Sequence, residues 1–311
     1  MTQPLFLSSK KVRSGALVGI GLMLLGTFMF SVNDVMGKWL VATYSVGQVL
    51  LLRSIAALMV LLPLMRQQKI AFQVPPQPGL HAVRVIFSTL EVACFYWAVT
   101  YLPLADVMTY YLAGPIYVAA FAAFWLGEKI DMPRIVAVAV GFVGVLIALR
   151  PSPATLSLPA VIAIAGSLFY ALLMITTRKL RDTDDGTLVL GQLLGSVIFG
   201  LATAPFAWVT PGWLDLAGLF LLGIVSMAAH ACVNRSLKIA PASVVAPYQY
   251  TLIVWAIVLG YLAFGDIVEF WTLVGAAVIC TAGLVLLLLE REAARRGRRT
   301  KDIEDPVLPE A

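Results

Sequence analysis

Ten apolar runs of about 20 residues each, separated by short polar breaks, follow one another along this 311-residue chain. A helix of that length crosses a hydrocarbon core of about 30 Å, and a chain with so many can satisfy its backbone in only one way, as an all-α integral membrane bundle. The predicted spans are 14–39, 46–65, 81–101, 104–126 and 133–149, then 158–177, 187–209, 213–234, 243–264 and 271–289. Composition agrees: 60% of residues are hydrophobic and 13% charged, against about 25% charged in soluble domains. The first span exceeds the apolar length of a signal peptide and lacks a small-residue cleavage site, so it is expected to stay in the mature chain.

Charge sets the expected orientation. Lys10, Lys11 and Arg13 precede the first span, and Arg66, Lys69, Lys129, Arg134, Arg178, Lys179, Arg181, Arg235 and Lys238 fall in every second loop. The tail adds Arg291, Arg295, Arg296, Arg298, Arg299 and Lys301, whereas the opposite loops hold only Lys38 and Arg150. The positive-inside rule then predicts that both termini are cytoplasmic, which requires an even number of spans. Because the basic residues are dispersed among loops and tail, no nucleic-acid partner is expected despite a pI near 9.2. The chain divides into a cytoplasmic N-terminus (1–13), two five-span halves (14–150 and 151–290) and a charged cytoplasmic tail (291–311), the tail expected to be disordered.

The halves repeat. Ala93, Cys94, Pro103, Val107, Tyr110, Gly127 and Glu128 align without a gap on Ala231, Cys232, Pro241, Val245, Tyr248, Gly265 and Asp266. A two-residue slip then brings Gly26, Lys38 and Leu40 over Gly166, Arg178 and Leu180. With five spans per half, the second must enter the membrane from the opposite side. Such an inverted repeat allows two nearly equivalent packings, each open to one side, around a site at the repeat interface.

Ionisable residues within spans cost roughly 2.5–3.5 kcal/mol each, so each calls for a partner or a water-filled cavity. Glu91 falls near the middle of the third span, with Arg84 seven residues earlier on the same face; Asp34 and Arg53 fall in the same membrane half and could pair. The functional reading makes Glu91 or Asp34 a proton-coupling carboxylate or a ligand for a cationic group, and Arg53 a clamp for a carboxylate or phosphate. The alternative is a set of structural ion pairs. His230, near the end of the eighth span, offers an imidazole to substrate or to packing. Tyr110 and Tyr248, equivalent across the repeat, could face a shared cavity. Tyr96, Trp97, Tyr110 and Tyr111 could equally belong to an interfacial aromatic belt. Tyr111 and Gln249, their neighbours, complete the candidate binding set. Pro115 would free a carbonyl and mark a hinge.

Cys94, Cys232 and Cys280 lack CxxC spacing, so neither a disulfide framework nor a metal site is indicated. No Walker loop, HExxH, GxSxG or dinucleotide fingerprint occurs, and no cofactor is expected.

Residues 30–40 (FSVNDVMGKWL) with Arg53, then residues 101–129 with their Leu-Pro-Leu-Ala-Asp opening, Pro115 and Leu126-Gly127-Glu128 closing, resemble the drug/metabolite transporter superfamily in its ten-helix EamA form. The second copy supplies Ala240-Pro241-Ala242-Ser243, Pro247, Tyr248, Tyr250 and Gly265-Asp266, with Asp266 where that family usually has Glu. The resemblance implies a central cavity lined by spans one, three, four, six, eight and nine, alternating access, and a bacterial inner-membrane location. It implies cargo among amino acids and their derivatives, S-adenosylmethionine, riboflavin, nucleobases and sugars, nearest to the branch with S-adenosylmethionine and riboflavin carriers. The expected partners are a small-molecule substrate and membrane lipid, with the chain a monomer or homodimer. A membrane enzyme such as an acyltransferase, with His230 or Glu91 as base, is the alternative class; a scaffold would not need a carboxylate at midplane.

Overall fold

The computed structural model describes residues 6–67, 77–114, 116–118, 121, 132–149, 157–180, 183–239 and 245–304. Pro115, Gly127, Glu128, Arg150 and residues 240–243, all singled out in the sequence, lie outside them.

Ten α-helices form the bundle among the described residues. In the first half they are α1 Phe6–Val41, α2 Val46–Gln67, α3 Pro78–Tyr101, α4 Leu104–Leu112 and α5 Met132–Leu149. In the second they are α6 Leu158–Lys179, α7 Asp185–Thr203, α8 Trp213–Ile239, α9 Thr251–Phe264 and α10 Phe270–Glu304. Local chemistry sets many boundaries. Prolines stand at the first turns of α3 and α6, where a missing N–H costs nothing. The Asp184 carboxylate caps α7 by accepting from the N–H groups of Gly186 and Thr187. Gly265, at φ 69°, closes α9 in the left-handed conformation and turns the chain toward α10.

Two expectations change. Within the span expected as one helix over 243–264, residues Ala246–Tyr250 form a 3-10 segment before α9, and proline at its first positions accounts for the break in α-helical bonding. The tail, expected to be disordered, continues α10 as helix to Glu304. Its Ala, Glu and Arg are strong helix formers, and the arginines cluster toward the C-terminal end, where the helix dipole favours them.

Packing follows the repeat. Exchanging each helix with the one five places on maps the most extensive contacts onto one another: α1 against α8 corresponds to α3 against α6, and α2 against α8 to α3 against α7. The pairs α2–α7, α4–α9 and α5–α10 cross the axis and map to themselves. Phe142, Val143, Leu146, Ile198, Leu201, Val254, Val258 and Leu262 project outward as exposed apolar side chains, as a lipid-facing surface demands. The main core joins Leu50, Leu104, Val107, Ile116, Leu219, Leu222 and Ile279 from both halves.

Candidate functional site

Three helices of the first half bring the intramembrane charges together. Arg53 on α2 interacts electrostatically with Asp34 on α1 and Glu91 on α3, and the two carboxylates with each other. None of them forms an ion pair: among the described residues neither carboxylate side chain has a hydrogen-bond partner. Instead Arg53 Nη1 donates to the Tyr96 hydroxyl at 2.6 Å. Tyr96 in turn donates to Asn33 Oδ1 at 3.3 Å, and Asn33 Nδ2 donates to the Leu222 carbonyl of α8 at 2.7 Å. The chain of bonds therefore ties α2, α3, α1 and α8 at one depth.

Arg84 does not serve Glu91. Its Nε donates to Thr177 Oγ1 at 2.8 Å and its Nη1 to the Leu188 carbonyl at 3.0 Å, which clamps α3 onto α6 and α7. Tyr96 is no belt residue, being 1% exposed, and Tyr110 at 6% belongs to the main core. Tyr111 is half-buried, donates to the Glu91 carbonyl at 3.0 Å and stands edge-on to Phe95. Tyr170 lies beyond it, with ring centroids 6.4 Å apart, extending an aromatic file beside Glu91. Sequence reasoning missed Tyr170, although the register that sets Lys38 on Arg178 also sets Phe30 on Tyr170. Tyr248 packs beside Met23 and Val245, away from Tyr110, and Gln249 follows it half-buried in the 3-10 segment.

A cavity of about 410 Å³ opens between α2, α7 and α8. Arg53, Ala57, Leu61, Leu64 and Met65 give it one face of α2, about 18 Å long at 1.5 Å per residue. Asp184 stands at its mouth, and Gln192, Ser226 and His230 line its wall. Only α8 is shared with the walls implied by the family resemblance. His230 Nδ1 lies 2.8 Å from the Ser226 carbonyl. Since a carbonyl only accepts, Nδ1 carries the proton and Nε2 of the neutral ring remains an acceptor. His81 sits on α3, apart from His230 on α8.

At the opposite end three polar ties join the halves. Lys38 Nζ meets Asp266 Oδ2 at 2.6 Å and lies over the Phe264 ring. The Tyr44 hydroxyl donates to Asp215 at 2.6 Å. Gln48 binds Val209 twice, Nε2 donating to its carbonyl at 2.6 Å and Oε1 accepting from its N–H at 3.1 Å.

Two exchangeable five-helix halves, apolar flanks and intramembrane carboxylates that have no ion-pair partner among the described residues define a multi-pass membrane protein. The chain belongs to the EamA-like transporter family, whose model matches residues 17–150 and again 157–289. It is similar to the S-adenosylmethionine uptake transporter of Rickettsia conorii, 25% identical over 282 residues covering 90% of this chain and 96% of that one. The riboflavin transporter of Vibrio cholerae is 27% identical over 249 residues (78% and 83%), and the pseudopaline exporter of Pseudomonas aeruginosa 28% over 273 (86% and 95%). A solved crystal structure, 17% identical, superposes with a TM-score of 0.61 over 89% of this chain and 98% of its own, and shares the fold.

Proposed function

We propose that the protein is a secondary carrier that moves a small charged metabolite across the bacterial inner membrane by alternating access, with both termini in the cytoplasm. One observation carries this reading: the cavity opens at the end holding Met65 and Asp184, while the Lys38–Asp266, Tyr44–Asp215 and Gln48–Val209 ties join the halves at the other. A bundle tied at one end and open at the other is one of the two packings an inverted repeat provides. With the charge-derived orientation, the open end is cytoplasmic.

The chemistry around Arg53 narrows the cargo. A guanidinium recognises a carboxylate, while Asp34 and Glu91 have no hydrogen-bond or ion-pair partner among the described residues and suit ammonium or sulfonium groups. The aromatic file of Phe95, Tyr111 and Tyr170 offers faces for a heterocycle. A zwitterion with an aromatic ring, of the S-adenosylmethionine kind, satisfies all three, and the names of several relatives point the same way. Either carboxylate would also carry a coupling proton.

Counterflow of radiolabelled S-adenosylmethionine in proteoliposomes tests the reading. Saturable exchange is expected, lost in Arg53→Gln, with accumulation driven by an imposed proton gradient and uncoupled in Glu91→Gln. Folded protein that exchanges neither S-adenosylmethionine nor riboflavin would remove this cargo class.

A further inference from the structure

Arg53 presents a puzzle that the carrier reading leaves open. In a low-dielectric interior a guanidinium and a carboxylate attract strongly, and bidentate pairing is their best geometry. Two carboxylates lie within electrostatic reach of Arg53, yet neither pairs with it; its hydrogen bond goes to a neutral phenol. We propose that Tyr96 is a positioning residue: its hydroxyl, anchored through Asn33 to α8, holds the Arg53 guanidinium off Asp34 and Glu91 and so keeps the cation available to an anionic group of the cargo.

The direction of the hydrogen bonds supports this. The Leu222 carbonyl can only accept, so the Asn33 amide must present Nδ2 to it and turn Oδ1 toward Tyr96. The single phenolic proton then goes to Oδ1, and the lone pairs of the hydroxyl face Arg53. Every group in the chain has one possible role. The phenol also cannot swing after the arginine. A Cβ at Gly37 would collide with the Tyr96 ring, so α1 itself is the wall on which the ring rests, and Phe95 stands edge-on to it with centroids 5.5 Å apart. The guanidinium carbon is 5.3 Å from the Tyr96 ring centroid, so the ring face adds a cation–π attraction to the hydrogen bond.

The anchor has a further consequence. Leu222 precedes Gly223, which lines the cavity together with Arg53. The helix that walls the cavity therefore also fixes the residue that aims the arginine, so a movement of α8 would change where Arg53 points. Arg53 as the receptor of the cargo's anion rests on the carrier reading; the separation of charges does not, and is tested without cargo.

Tyr96→Phe keeps the ring and removes the hydroxyl. In an experimental structure of that variant the guanidinium is expected within 4 Å of Asp34 or Glu91. In thermal unfolding, Tyr96→Phe is expected to cost little in the otherwise native protein, because a new ion pair replaces the lost bond. It should cost more in an Asp34→Asn, Glu91→Gln background, where no pair can form. An unmoved guanidinium together with equal costs in both backgrounds overturns the proposal. Should Tyr96→Phe fail to fold, Asn33→Ala, which releases the hydroxyl from α8, carries the same two expectations. In exchange assays with S-adenosylmethionine, Tyr96→Phe is expected to raise KM about tenfold with the maximal rate within about twofold. Absence of exchange by the native protein would count against the carrier's cargo and leave the unfolding cycle to decide on Tyr96.

Discussion

Lys38 of α1 and Asp266, two residues beyond the end of α9, meet at 2.6 Å across the two halves of the bundle. Their side chains retain 14% and 19% exposure. Asp266 Oδ2 also accepts a longer bond, 3.4 Å, from the Leu104 N–H at the start of α4. One carboxylate thus gathers the ends of α1, α4 and α9. A partly wet pair of this kind adds about 1 kcal/mol or less to stability, but all of that sum bears on whether this end stays closed.

Asp266→Lys is therefore expected to loosen this end without unfolding the protein, and the exchange Lys38→Asp with Asp266→Lys to restore it. The check is maleimide labelling of Ala105→Cys, a buried position in the first turn of α4, in a background lacking Cys94, Cys232 and Cys280. Labelling about fivefold faster in the single variant, matching roughly 1 kcal/mol, and normal in the double is the expected result. Equal rates in all three would remove Lys38–Asp266 from the closing contacts.

Gln48→Leu is expected to destabilise more. Gln48 is fully buried and both ends of its amide are engaged by Val209, so the substitution forfeits two hydrogen bonds at about 1 kcal/mol each. A drop of several degrees in the unfolding midpoint, with the same change at low and high salt, is the expected signature of a neutral tie.

Tyr44 gives a pH dependence. It lies in the turn between α1 and α2, and the Asp215 carboxylate accepting its proton, helped by burial, holds the phenol above its ordinary 10.0. The folded state keeps the proton longer than the unfolded one, so the tie is fully present below about pH 10 and is lost as pH rises through the raised value. Thermal unfolding from neutral to strongly alkaline pH should show a decline that Tyr44→Phe flattens; parallel curves for the two proteins would assign the decline elsewhere.

The spans were legible because length and hydropathy are local: each of the ten helices overlaps one predicted run, although α1, α3, α8 and α10 extend beyond theirs. The repeat was legible from Pro103 over Pro241 and Tyr110 over Tyr248. What the sequence could not supply was pairing between distant segments. Lys38 entered as an outer charge and a repeat match to Arg178, and Asp266 as a repeat match to Glu128, and nothing in either position announces the other. Tyr96 looked like a belt residue because depth along a helix is readable from sequence and the face it turns is not. Gln48 and Tyr170 carry no motif at all, and Asn33, although inside the family-like segment 30–40, was not marked out within it. Asp34, Arg53 and Glu91 were found because charge inside an apolar run is conspicuous, and the structure adds that they gather without pairing.

His230 separates two roles that one residue can hold. Its Nδ1 proton is spent on the Ser226 carbonyl, and its ring stands edge-on to Phe30 with centroids 4.7 Å apart, which suffices for a packing residue. Its exposed edge on the cavity wall, with Nε2 as acceptor, suits a binding residue. His230→Asn places an amide nitrogen near the position of Nδ1, keeping the Ser226 bond and deleting Nε2. His230→Gln reaches to the position of Nε2 and gives up the bond to Ser226. If cargo uses Nε2, Asn should raise KM about tenfold, near 1.4 kcal/mol, while Gln retains more affinity but unfolds at lower temperature. If the ring only packs on Phe30, both variants should lose stability together and leave KM unchanged, and Phe30→Leu should match them.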